Sequence, residues 1–135
     1  MFSQMQNYSK MAETHADIHV SAELEFGGYD EEQKYYIHKY KIQIENQSNI
    51  NFQLLRRRWE ISDGLSWKRI VEGDGVVGQQ PIISPGQRYS YDSWCPMPST
   101  VGYMKGSFFC QQSDGGSDFT IEVPLMTFIA EELRN

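Results

Sequence analysis

VEGDGVVGQQPIISPGQRYSYDSW, residues 71–94, is the stretch on which the fold turns. Gly73, Gly75 and Gly78 stand in a G-x-G-x-x-G spacing. In a dinucleotide-binding unit that spacing follows a strand and opens a helix, whose N-terminus receives the pyrophosphate. Here Gln79-Gln80-Pro81-Ile82-Ile83-Ser84-Pro85-Gly86 follows instead. A proline inside a helix costs roughly 3 kcal/mol, so Pro81 and Pro85 together forbid one. The dinucleotide reading fails on context, and Glu72 and Asp74 would repel a phosphate besides. What remains is a backbone that needs positive φ or close approach at three points. Such a loop is either purely structural or a nest of N–H groups for a small anion.

The second half of the stretch carries the architecture. Ile83-x-Pro85-Gly86-x-x-Tyr89 has the form of a corner between the two sheets of a sandwich. In such corners a tyrosine at the strand start sends its hydroxyl back to the upstream backbone. The alternative is an ordinary Pro-Gly turn before a strand. A helix directly after Gly78 would overturn the whole reading.

Outward from this stretch the chain alternates. Ile18, Val20, Ala22, Leu24 and Phe26 share one face of a strand that the acidic loop at Gly27–Glu32 is expected to break. Tyr36, His38, Tyr40, Ile42 and Ile44 share a face of the next. Phe52–Ser62 should place Leu55, Arg57, Trp59 and Ile61 on one side and Leu54, Arg56, Arg58 and Glu60 on the other. Short strands over Ser66–Glu72, Arg88–Trp94 and Gly102–Gln112 follow, then one bearing Phe119, Ile121 and Val123. Seven or eight strands with turn residues between them and no helical period predict an all-β sandwich, mostly antiparallel. It would occupy residues 17–131, after a polar, loose segment over 1–16.

With 135 residues the chain holds one domain. Its net charge of −6 argues against general nucleic-acid binding. No apolar run is long enough for a membrane span. The N-terminus lacks the basic start and apolar centre of a signal peptide, so a cytoplasmic protein is expected. Cys95 and Cys110 are then reduced thiols, not a disulfide.

The residues resemble the ApaG family. The matching text begins with Phe52-Gln53-Leu54-Leu55-x-Arg57-x-Trp59-x-Ile61. It continues through Val71-x-Gly73-x-Gly75-Val76-Val77-Gly78-x-Gln80-Pro81-x-Ile83-x-Pro85-Gly86-x-x-Tyr89-x-Tyr91-x-Ser93. Gly102-x-Met104-x-Gly106 and Phe119-x-Ile121-x-Val123-Pro124 complete it. The likeness runs from about Ile18 to Ala130. It implies an immunoglobulin or fibronectin-III-like sandwich. In bacteria it implies an association with cobalt and magnesium tolerance or efflux. In eukaryotic F-box proteins and a polymerase-interacting protein, a similar domain looks like a protein-binding module. The glycine motif has been linked to pyrophosphate-type ligands, and no catalytic set comes with the family. Trp94 departs from the small residue that is common at its position.

Candidate sites follow from these readings. A small-anion site would use Gly73, Gly75 and Gly78 with Arg57 or Lys68, and would take phosphate or pyrophosphate. Arg57 shares the core side of its strand, so its charge needs a partner; an aromatic face or loop carbonyls would serve. Arg56 and Arg58 read as a solvated edge paired with acids or as a cationic spot. Trp94 and Met97, bracketed by Pro96 and Pro98, suit a protein-binding rim, unless Trp94 closes the core. His15, His19 and His38 have no ligand spacing, and Asp30, Glu31 and Glu32 read as a solvated loop, so no metal site or cofactor is expected. Nor is a nucleophile elbow present. The function expected is a non-enzymatic interaction module with a protein partner. Exposed sheet edges leave a strand-paired homodimer open.

Overall fold

In the computed structural model, residues 10–15 and 17–130 are described, and their alternation resolves into strands with no helix among them. In chain order these are β1 (Lys10–His15), β2 (Ile18–Asp30), β3 (Tyr35–Asn46), β4 (Phe52–Ser62) and β5 (Lys68–Asp74). The two-residue β6 (Ile82–Ile83), β7 (Arg88–Met97), β8 (Val101–Gln112) and β9 (Asp118–Ile129) complete the set. One sheet runs β1-β2-β3-β7 and the other β5-β4-β8-β9, with β6 also pairing β4. Every pairing is antiparallel. The chain crosses between sheets after β3, after β6 and after β7. This is the immunoglobulin-like sandwich that the alternation predicts.

The core lies between the sheets. Ile18, Val20, Ile42 and Ile44 face Phe52, Leu54, Phe108 and Ile121, all fully buried. Each such side chain contributes roughly 1.5–3 kcal/mol by leaving water. The two sides of the sandwich differ. β9 packs against β1 and β2 and closes one side. On the other side the edge strands β5 and β7 make no comparable contact.

The structure departs from the sequence reading in four places. Lys10–His15 pair with Ile18–Glu23 as an edge strand, so the segment expected to be loose joins the sheet at least from Lys10. Its sequence lacks apolar alternation because an edge strand is held by backbone bonds. Residues 1–9 and 131–135 lie outside the described residues. β2 continues through Gly27 and Gly28 to Asp30, because a bulge between Phe26 and Gly28 absorbs one residue. A second bulge at Leu55 moves the inward face of β4, so Leu54 and not Leu55 enters the core, while Trp59 and Ile61 remain inward. Finally, β7 runs on through Cys95 and Pro96 to Met97. Pro96 is tolerated because β7 is an edge strand.

Candidate functional site

The G-x-G-x-x-G stretch is a loop folded back on the β4 bulge. Leu55 carbonyl accepts the Gly75 N–H at 2.7 Å and Gln80 Nε2 at 2.9 Å. Val76 and Gln79 exchange both backbone bonds, at 2.8 and 2.9 Å. Between them Val77 (φ 47°) and Gly78 (φ 77°) form a two-residue turn with positive φ at both positions, the arrangement of a type I′ hairpin. Gly75 (φ 62°) has no room for a side chain, since an added Cβ would fall 2.1 Å from the Gln79 carbonyl oxygen.

Arg57 occupies the space over Gly73. It lies opposite Gly73 in the β4–β5 register. Its Nη1 donates to the carbonyls of Asp74 and Gly75, at 3.0 Å each. Here, then, it is carbonyl oxygens that converge, and they converge on the protein's own guanidinium. The N–H groups of Gly75, Val76 and Gln79 are spent elsewhere. Lys68 stands at the far end of β5, opposite Ser62. It is not brought to the glycine loop.

The corner before β7 is tied by Asn46, which the sequence reading does not single out. Asn46 is fully buried. Its Nδ2 donates to the carbonyls of Ile50 (2.8 Å) and Ile83 (3.0 Å). Its Oδ1 accepts from the Ser48 N–H at 3.0 Å. Its backbone bonds Gly86 and Gln87 as well, at 2.7 and 2.9 Å. Gly86 has φ 85°, as position i+2 of a type II turn after Pro85 requires. Among the described residues no hydrogen bond of the Tyr89 hydroxyl ties the corner; Asn46 takes the part expected of that tyrosine.

Trp94 and Met97 go different ways. Trp94 points outward from β7 and is 62% exposed. Met97 is fully buried: with β7 continued to residue 97, alternation turns it inward beside Cys95. The exposed rim expected of the pair therefore reduces to Trp94.

The remaining charges are mostly neutralised. Arg56 reaches Asp74 at 4.0 Å and stacks over Phe109. Arg58 pairs with Glu60 (3.4 Å) and Glu72 (3.6 Å). Asp30 accepts the N–H groups of Glu32 and Gln33, which makes it a turn residue. His38 is buried and stacked on Phe128 at 4.8 Å. Among the described residues no three His, Cys, Asp or Glu side chains are grouped to hold a metal ion. Nor, among them, is any helix long and apolar enough to cross a membrane.

On the open side, between β5 and the edge of β7, lies a cavity of about 180 Å³. The buried Trp59 and Cys95 lie in its floor beside Arg57 and Val71, and the exposed Trp94 stands at its edge. Arg69 lines it too. Arg69 faces the same way as Val71, opposite Ile61, and the first sheet stops short of covering it. Burial pushes the Cys95 thiol up to about 12, with Arg69 pulling weakly the other way. Burial likewise holds the Tyr91 hydroxyl well above its ordinary value.

The fold and this geometry define an immunoglobulin-like sandwich with one closed side, one open side and a glycine loop locked by an internal arginine. The ApaG domain family matches residues 28–112. Protein ApaG of Bdellovibrio bacteriovorus is 44% identical over 96 residues, 71% of this chain and 75% of that protein. The chain belongs to the ApaG family. An X-ray structure of a structural-genomics target superposes with a TM-score of 0.82 at 26% identity, covering 90% of this chain and 92% of that one. A crystal structure from Bordetella pertussis, described as an ApaA protein, gives 0.75 at 29% identity, covering 92% and 95%.

Proposed function

We propose that the chain is a non-enzymatic interaction module of the ApaG type, which docks a partner protein on the open side of its sandwich. The observation that carries this is Trp94. A tryptophan 62% exposed on the outer face of a free edge strand offers a large, rigid apolar contact surface where a partner can reach it. Aromatic anchors of this kind dominate binding energy at interfaces. The unpaired backbone of β7 beside it can accept a further strand. The link to cobalt and magnesium efflux that the family resemblance implies would then run through the partner, in the cytoplasm, and not through a metal held by this chain.

Binding of phosphate or pyrophosphate at the Gly73–Gly78 loop has less support. Such a ligand would have to displace Arg57 from two carbonyls and find N–H groups already in use.

The test is affinity capture from the source cells with the wild-type chain and with Trp94→Ala. A partner retained by the wild type and lost by the variant supports the reading. Equal capture by both, with both folded, contradicts it. A second copy of the chain is the competing occupant of β7; a concentration-dependent dimer that quenches or shields Trp94 would identify it.

A further inference from the structure

The cavity between β5 and β7 has a charge pattern unlike the rest of the surface. The chain carries a net charge of −6, yet this cavity is lined by two guanidiniums and no carboxylate. The depression on the outer face of the first sheet, by contrast, mixes Glu23, Glu25 and Asp92 with Lys39 and Lys41. The two arginines are also differently placed. Arg57 is held by the carbonyls of Asp74 and Gly75 through Nη1 and lies against Gly73. Arg69 pairs with no carboxylate among the described residues, while Arg56, Arg58 and Arg88 all do. It sits opposite Ile61, on the inward side of a strand that the facing sheet does not cover.

The rest of the lining is apolar and aromatic. Tyr40 and Trp59 meet edge to face at 6.0 Å in the floor. Val71 and Met104 flank them, and Trp94 stands at the mouth. Behind the floor the Tyr91 hydroxyl is buried with no hydrogen-bond partner among the described residues. It lies within electrostatic reach of Tyr40 and Arg57.

We propose that this cavity binds a small organic anion, a carboxylate carried on an apolar or aromatic body. Arg69 takes the carboxylate with a forked pair of N–H donors, the geometry guanidinium offers best. The body lies on Trp59 and Val71. Arg57 supplies a fixed positive field from behind and does not leave its loop. A bare phosphate would satisfy Arg69 and leave the cavity's apolar lining unused, so the site favours the organic anion. A volume of about 180 Å³ suits a single ring or a short branched chain, below the usual size of a drug-like pocket. The assignment stands apart from partner docking, since it rests on Arg69 and not on Trp94.

The test is an NMR titration of the full chain with three probes: benzoate, benzylamine and inorganic pyrophosphate. Benzoate is expected to saturate in the millimolar range that a ligand of so few atoms can reach. It should shift the resonances of Arg69, Ser93 and Trp94. Arg69→Gln should weaken it at least about tenfold, while Lys68→Gln, on the same strand but outside the cavity, leaves it unchanged. Benzylamine and pyrophosphate should bind at least about tenfold more weakly than benzoate. Equal response to benzylamine, tighter binding of pyrophosphate, or unchanged benzoate affinity in Arg69→Gln would each overturn the proposal. Docking of a protein partner is expected to survive Arg69→Gln, so failure of one reading leaves the other standing.

Discussion

The Arg57 guanidinium lies against the bare Cα of Gly73. A Cβ built there would meet Nη1 at 2.9 Å, Nη2 at 3.1 Å and Cζ at 3.2 Å. The glycine is therefore explained by a neighbour and not by a ligand. Gly73→Ala should push the guanidinium off the carbonyls of Asp74 and Gly75 and cost about 1–3 kcal/mol. In an Arg57→Ala background the same change should cost almost nothing. Urea unfolding of the four chains measures the coupling directly. Additive losses would mean that the pair does not act as a unit.

Asn46 should be the residue that ties the corner. Asn46→Ala leaves the carbonyls of Ile50 and Ile83 and the Ser48 N–H without their buried partner, and is expected to cost about 2–4 kcal/mol. Tyr89→Phe should change stability by less than about 0.5 kcal/mol. If the two costs came out reversed, the corner would be tied by the tyrosine hydroxyl after all.

Val77 is a β-branched residue at φ 47°, 60% exposed at the tip of the hairpin. Its backbone stores strain that nothing around it recovers. Val77→Asn places the favoured residue before Gly78 in this turn. It should stabilise the chain by about 1 kcal/mol, which raises Tm by about 2–8 °C. Gly75→Ala should act in the opposite sense and more strongly, because its Cβ runs into the Gln79 carbonyl. Calorimetry of both variants checks the sign. A Val77→Asn chain that melts lower would show that valine makes a contact there worth more than the strain.

Both thiols make stability fall at alkaline pH. Burial raises Cys95 and Cys110 from 9.0 to about 12. Between those values the folded chain holds protons that the unfolded chain has lost. The stabilisation is thus fully present below pH 9 and declines as pH rises toward 12. The buried Tyr91 adds to the fall above its ordinary value of 10.0. Urea midpoints measured at a series of pH values should be flat up to about pH 9 and then drop. Alkylating reagents should reach neither thiol at neutral pH without unfolding. A midpoint that rises between pH 9 and 11 would contradict the burial of both groups.

Much of the fold could be read in the order of the residues, because alternation in β3, β7 and β8 is close to strict and each side chain has only two directions to point. The sandwich followed from seven or eight alternating strands without a helical period, and Pro81 and Pro85 leave no helix after the glycines. Bulges were not legible. A one-residue insertion at Leu55 reverses the faces on either side of it, and nothing in Leu54-Leu55 tells which leucine goes inward. The end of β7 was misplaced for a related reason: Cys95-Pro96-Met97-Pro98 looks like a stop, but an edge strand has no second neighbour to which Pro96 owes an N–H. Arg57 was correctly expected to need carbonyls or an aromatic. Its pairing with Gly73 depends on the β4–β5 register, which spacing alone does not set. The open side was invisible, since it depends on which strands end each sheet. Arg69 acquires its interest only from that.

The central claim is that a partner is taken on the side bearing Trp94. A photo-crosslinking residue placed at position 94 and, in a second chain, at Leu125, which is also exposed but lies on β9, tests it most directly. Irradiation in the source cells should give one discrete adduct from position 94, competed by unlabelled wild-type chain, and none from 125. The same adduct from 125, or none from 94 while 125 reacts, would contradict it.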